Sequence, residues 1–163
     1  MTHNLAAAVL LAAALASTSA SAFEPIISLG GQHRILQRDG GTDELLATRE
    51  ETDGQLGVII LPSKAGQGPG PAIIQHFGAE SWYVLDGTFE FHVGDKSFDG
   101  GPGTFVAVDA GQPKGFIAKG DGHNLVIYTP GGYEHFFMDW AKLDLKPGPE
   151  LGKLENQYGV TRP

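Results

Sequence analysis

From Gln32 to Thr129 the sequence is a succession of short β-prone segments, each stopped by a Gly, Pro or Asp turn signal. This rhythm limits the fold more than any other feature of the chain. A helix needs a long uninterrupted stretch of 3.6 periodicity, whereas short strands need only alternation and frequent corners. The spacing predicts strands over 32–38, 44–50, 55–62, 72–76, 81–86, 88–93, 103–108, 114–118 and 124–129. Asp86-Gly87, between two β runs, predicts a two-residue hairpin, and Gly94-Asp95 and Asp39-Gly40-Gly41 predict tight turns. With 24 Gly and 10 Pro in 163 residues, corners are plentiful. The expected architecture is one all-β sandwich or barrel.

The first 22 residues follow a different rule. Leu5–Ala16 is an apolar, Ala-rich run too short to span a bilayer comfortably. It leads into Ala20-Ser21-Ala22, a small-x-small cleavage pattern. We read 1–22 as a secretory signal peptide and 23–163 as a single exported domain, secreted or periplasmic. The short n-region departs from the usual pattern, since it carries no Lys or Arg. No other stretch approaches membrane length, so no membrane association is expected after cleavage.

Beyond the strands, Tyr133, Phe136, Phe137 and Trp140 recur at i, i+3, i+4 and i+7. That spacing predicts a helix over 133–143 whose aromatic stripe packs on the barrel. A second short helix is expected from Pro149, a favoured first-turn residue, to about Gly159. The core domain is thus expected over 32–130, with a helical segment over 133–159. The net charge of −8 argues against a nucleic-acid surface, which needs clustered Lys and Arg. The absence of Cys excludes disulfides, thiolate metal sites and a Cys nucleophile. Gly66–Pro71 lacks the GK[ST] ending of a phosphate loop and reads as a turn. There is no HExxH, no Gly-x-Ser-x-Gly and no dinucleotide-binding fingerprint.

The informative stretch is Gly70–Asp95, GPAIIQHFGAESWYVLDGTFEFHVGD. Its phrase Trp82-Tyr-Val-Leu-Asp-Gly87 and the amphipathic strand ending Val93-Gly94-Asp95 resemble the first motif of the cupin superfamily. Gly103–Lys114, with Gly103 and Gly111 in place, is similar to the second. Tyr128–Phe137 and Gln157–Val160 are similar to the C-terminal part of single-domain cupins of the quercetin-dioxygenase-like type. The resemblance implies a small jelly-roll β-barrel with one or two short C-terminal helices. It also implies a metal site of His and Glu from the motifs G-x5-H-x-H-x3/4-E-x6-G and G-x5-P-x-G-x2-H-x3-N.

This chain departs from that ligand set. With three residues between the second His and the Glu, His76 and Glu80 fill two positions, while Ile74 and Lys114 replace the other two His. The second motif's Pro and Asn fall on Asp109 and Ala118. His76 and Glu80 are therefore an incomplete set for Fe, Mn, Ni or Zn, and no cofactor is firmly implied. Strand parity puts Ile74 with His76, Glu80 with Trp82, and Lys114 with Phe116. The expected pocket gathers His76, Glu80 and Lys114 as candidate catalytic groups among Ile74, Trp82 and Phe116 as ligand contacts. Three readings stay open. The barrel holds a small apolar or aromatic molecule, with or without metal-free acid–base chemistry of the isomerase, cyclase or decarboxylase type. It is a metal-dependent dioxygenase similar to the quercetin-cleaving enzymes. Or Glu80 and Lys114 form a buried ion pair that plugs the barrel. A homodimer is the expected assembly.

Overall fold

The computed structural model describes residues 23–163; the expected signal peptide lies outside the described residues. Eleven strands and two helices follow one another in the order β1 Arg34–Arg38, β2 Gly41–Ala47, β3 Gly57–Ser63, β4 Gly70–Gln75, β5 Ala79–Asp86, β6 Phe89–Val93 and β7 Lys96–Gly100. Then come β8 Phe105–Val108, β9 Pro113–Ala118, β10 Gly122–Thr129, α1 Glu134–Leu143, α2 Pro149–Gln157 and β11 Val160–Thr161. One sheet runs β1-β2-β3-β10-β5-β8 and the other β11-β4-β9-β6-β7, all neighbours antiparallel. The two sheets face one another as a small jelly-roll barrel, and the two helices follow it in the chain. No helix among the described residues is long and apolar enough to cross a membrane.

Turn chemistry explains which expected corners hold. Val93 pairs with Lys96 around Gly94-Asp95, and Arg38 pairs with Gly41 around Asp39-Gly40, so both are two-residue hairpins. Asp86-Gly87 is not a hairpin. β5 pairs with β10 and β8, whereas β6 pairs with β9 and β7, so this dipeptide carries the chain from one sheet to the other. Gly87 has φ +82°, and a Cβ there would lie 2.7 Å from the Asp121 carbonyl oxygen. The glycine permits the close approach of two corners rather than a hairpin.

Two strands were not expected from the sequence. β7 is polar and exposed along most of its length, and β11 has only two residues. The segment expected at 44–50 is shifted to 41–47, because the chain turns at Thr48. There the Glu51 carboxylate accepts the Thr48 N–H at 2.9 Å and the Arg34 guanidinium at 2.7 Å.

The core follows strand alternation. Trp82 and Val84 on β5, Phe89 and Phe91 on β6, Phe116 on β9 and Val126 and Tyr128 on β10 are all buried. Phe116 packs edge-on against Phe89 at 5.4 Å and Trp82 at 5.9 Å. Such pairs add about 0.5–1.5 kcal/mol each beyond burial.

The start of α1 is anchored by Glu134, which is fully buried. Its Oε1 accepts the Arg49 N–H at 2.6 Å and its Oε2 the Gly132 N–H at 2.7 Å. Gly57 makes the room, since a Cβ there would stand 1.9 Å from Glu134 Oε2. Gly57→Ala is therefore expected to cost about 2–4 kcal/mol, through overpacking and displaced amide contacts. Urea unfolding of the purified variant checks this; a midpoint unchanged from the parent would refute it.

Candidate functional site

Strand parity places the polar side chains of the barrel. In β5, alternation turns Glu80 and Trp82 inward; in β9 it turns Lys114, Phe116 and Ala118 inward. In β4 the buried positions are Ile73 and Gln75, not Ile74 and His76. The expected placement of Ile74 and His76 in the pocket is thus corrected. His76 is exposed just beyond the end of β4, with Nε2 3.0 Å from the Thr161 hydroxyl. The physical reason is the corner between β4 and β5. Gly78 there has φ +66°, and four residues, not three, separate the inward position Gln75 from Glu80. The first motif allows either spacing, and the shorter one sets His76 and Ile74 at the ligand positions. With the longer one, Ile73 and Gln75 stand where the two motif histidines would.

Lys114 has no solvent exposure, and its Nζ lies 3.1 Å from Glu80 Oε2, with Glu80 only 5% exposed. The ammonium also sits 5.9 Å from the centre of the Trp82 ring. This is a close charge contact rather than a well-directed hydrogen bond. Glu80 Oε2, Lys114 Nζ, Trp82 Nε1 and Tyr128 OH are all buried without a hydrogen bond of good geometry. Burial pushes the Glu80 carboxyl above its ordinary range, and the neighbouring Lys114 only partly offsets that. The Tyr128 and Tyr133 hydroxyls are raised well above theirs, first by burial and then by the nearby Glu80 charge. A carboxyl 13C NMR titration should therefore give Glu80 a midpoint above the ordinary value of 4.5. A midpoint at or below that value would refute the description.

Above Glu80 a cavity of about 300 Å³ opens between the barrel and the helices. Its floor includes Glu80, Tyr128 and Phe116, and its roof is the aromatic stripe Tyr133, Phe136, Phe137 and Trp140. The stripe packs on the barrel as expected, and the same rings also line the cavity. Of the candidate residues, Glu80 and Phe116 border this space. Lys114 and Trp82 lie behind it, and Ile74 and His76 are outside it.

The rim holds two arginines that sequence reasoning passed over. Arg38 grips the buried Asp43 with a fork, Nε to Oδ2 at 2.5 Å and Nη2 to Oδ1 at 2.7 Å. Its guanidinium lies 4.5 Å from the Trp140 ring centre. Arg162 grips Glu155 in the same way, at 3.0 and 2.6 Å, and donates to the Pro69 carbonyl at 2.7 Å. The signal for the first pair was available: Arg38 and Asp43 flank the Asp39-Gly40 turn, close across a hairpin. Arg162 and Glu155 join α2 to the chain end, and only the fold brings them to the rim.

A metal of the cupin type does not fit the barrel. No histidine among the described residues borders the cavity, and its carboxylates already face cations: Glu80 meets Lys114, Glu155 meets Arg162 and Asp39 meets Lys146. Imidazole and carboxylate together are what such metals need. Outside the barrel, Glu50, Glu134 and His135 have ligand atoms within 4.8 Å of one another. Both Glu134 oxygens already accept backbone N–H groups, and His135 Nε2 is 2.9 Å from Glu50.

Fold and site together define a small jelly-roll barrel with an aromatic-lined interior cavity. Residues 64–129 match the cupin domain family, and the chain has the cupin fold. No curated protein sequence matches it. An RmlC-like cupin from Shewanella frigidimarina has a TM-score of 0.58 at 17% identity, over 71% of this chain and 99% of that one. KdgF from Halomonas sp. gives 0.56 at 17% identity, over 72% and 99%. A deletion mutant of Bacillus subtilis oxalate decarboxylase gives 0.51 at 21%, over 61% of this chain but 28% of that one. At these identities the likeness is one of fold. Cupin proteins often bind transition metals, which makes the donor set described above a departure.

Proposed function

We propose that the chain is an exported protein whose barrel binds a small, mostly apolar or aromatic molecule, with Glu80 available for metal-free proton transfer. The observation that carries this reading is the cavity of about 300 Å³, walled by aromatic rings, with the Glu80 carboxylate at its floor. Its volume is at the lower end of the range for small-molecule sites, and its make-up, apolar walls with few polar groups, is typical of them. A carboxyl raised above its ordinary range by burial is suited to take or return a proton. The dioxygenase reading has no comparable support, because the barrel lacks the imidazoles it would need.

Native mass spectrometry of protein purified from its own source tests the proposal. A bound organic molecule is the expected result; an empty barrel in every preparation, with no uptake of aromatic fragments by calorimetry, would overturn it. His76→Ala is expected to leave fragment affinity within twofold of the parent, since His76 lies outside the cavity. A Phe136→Ala variant should weaken binding at least tenfold by removing part of the roof. N-terminal sequencing of the exported form should begin at Phe23. The exposed apolar side chains Tyr83, Leu85 and Phe105, by the edge strand β8, support the expected homodimer, which light scattering would reveal.

A further inference from the structure

We infer that the cavity selects an electrically neutral aromatic molecule bearing one hydrogen-bond donor, which it presents to Glu80 Oε1, and that it rejects anions. The inference rests on the binding reading above and specifies the ligand class.

Charge pairing around the cavity determines which ligands it accepts. Each cation at or behind its wall is already committed. Arg38 is forked onto Asp43 and also donates to the Asp39 carbonyl at 3.2 Å. Arg162 is forked onto Glu155 and bound to the Pro69 carbonyl. Lys114 is fully buried behind Glu80 and in contact with its Oε2. A ligand carboxylate would find no unpaired cation here, while it would face Glu80. An anion taken from water into such surroundings exchanges its hydration for at most the neutral Tyr128 hydroxyl, and that loss is large. A cationic ligand meets the opposite difficulty. The aromatic roof could hold it, but it would compete with Lys114 for Glu80, with Arg162 for Glu155 and with Lys146 for Asp39.

The acceptor is likewise defined. Glu80 borders the cavity, yet its Oε2 is shielded from solvent against Lys114. Oε1 is therefore the oxygen that meets a ligand. Tyr128 and Trp82 lie beside the carboxylate, and neither of their donors makes a well-formed hydrogen bond to it. A hydroxyl or N–H on a flat ring placed under Phe136 and Tyr133 would satisfy it. A neutral donor to a charged acceptor is among the stronger hydrogen bonds.

Four probes of similar size test this at pH 7 on the purified protein: 2-naphthol, 2-methoxynaphthalene, 2-naphthoate and 2-naphthylmethylammonium. Calorimetry, with displacement of 2-naphthol for the least soluble probe, gives the affinities. The expected result is 2-naphthol at least tenfold tighter than each of the others, a difference of about 1.4 kcal/mol. Equal or tighter binding of the naphthoate or the ammonium would overturn the charge selection. Equal binding of the methoxy compound would overturn the Glu80 contact, and in both cases the binding reading would stand. No binding by any of the four would remove that reading and the inference with it. As a second measurement, Glu155→Gln releases Arg162 and is expected to raise naphthoate affinity at least fivefold. An affinity that does not rise would overturn the assignment of anion rejection to the paired guanidinium.

Discussion

Replacing Lys114 by Met is expected to lower folding stability by about 3–5 kcal/mol at pH 8, the usual consequence of leaving one member of a buried pair alone. Met fills nearly the same volume, so the loss reports charge and not packing. Lys114 has no exposure, and Glu80, 3.1 Å away, is almost as deeply buried. Without the ammonium, the carboxylate must stay charged in an apolar barrel or take up a proton. Protonation relieves the strain, so the loss should be smaller at pH 5 than at pH 8. The direction follows from linkage. A carboxyl whose folded value is raised above its unfolded value of 4.5 stabilises the fold fully below 4.5, and that contribution fades as pH rises through the folded value. The double variant Lys114→Met, Glu80→Gln removes both charges and should recover most of the loss. Denaturant unfolding at the two pH values decides the matter. A single variant within about 1 kcal/mol of the parent at pH 8 would show that Lys114 does not hold Glu80 in its ionised form.

The second large effect is expected at Arg38. Arg38→Met strands Asp43, which has no exposure, and should also cost about 3–5 kcal/mol. It further removes the guanidinium stacked 4.5 Å from Trp140, a contact worth about 0.5–2 kcal/mol. Arg38→Lys should recover only part of this, because an ammonium cannot fork onto both Asp43 oxygens or stack as a plane. Asp43 is itself raised, by burial first and against the pull of Arg38, so its loss should also shrink toward acid. Both variants should weaken ligand binding, since Arg38 ties the β1–β2 hairpin to the aromatic roof. Thermal unfolding with calorimetric titration would check this; a variant as stable as the parent would refute the role.

Much of the fold was legible because its cues are local. Alternation in Ser81–Asp86 and Phe89–Val93 predicts which side chains are buried, and those faces are as expected. The aromatic spacing in 133–140 and Pro149 predict the two helices nearly to the residue. The Asp86-Gly87 corner misled because a dipeptide that turns the chain does not say which strand will be its partner. Only the sheet order reveals that β5 and β6 lie in different sheets.

At the site, legibility ended at the same kind of place. Glu80, Trp82, Lys114 and Phe116 were assigned inward by period two, and they point inward. Ile74 and His76 were misplaced by one residue, which in a strand moves every side chain to the other face. The choice depended on the length of the β4–β5 corner, set by packing around Gly78 rather than by any local preference. Arg162 was invisible for a related reason, since only the fold brings it to the rim beside Pro69, whereas the Arg38–Asp43 pair could have been read across the Asp39-Gly40 hairpin.

The rhythm of short strands and glycine corners by itself determined an all-β barrel with a helical tail, since alternation and turn chemistry act over a few residues. The tertiary structure alone decided what the barrel holds. Its corner length turned His76 outward and Gln75 inward, and its closure forced Lys114 against Glu80. It brought Arg38 and Arg162 to the mouth already paired and set Glu80 at the floor of an aromatic cavity. Those outcomes depend on register and long-range packing, which no window of sequence contains.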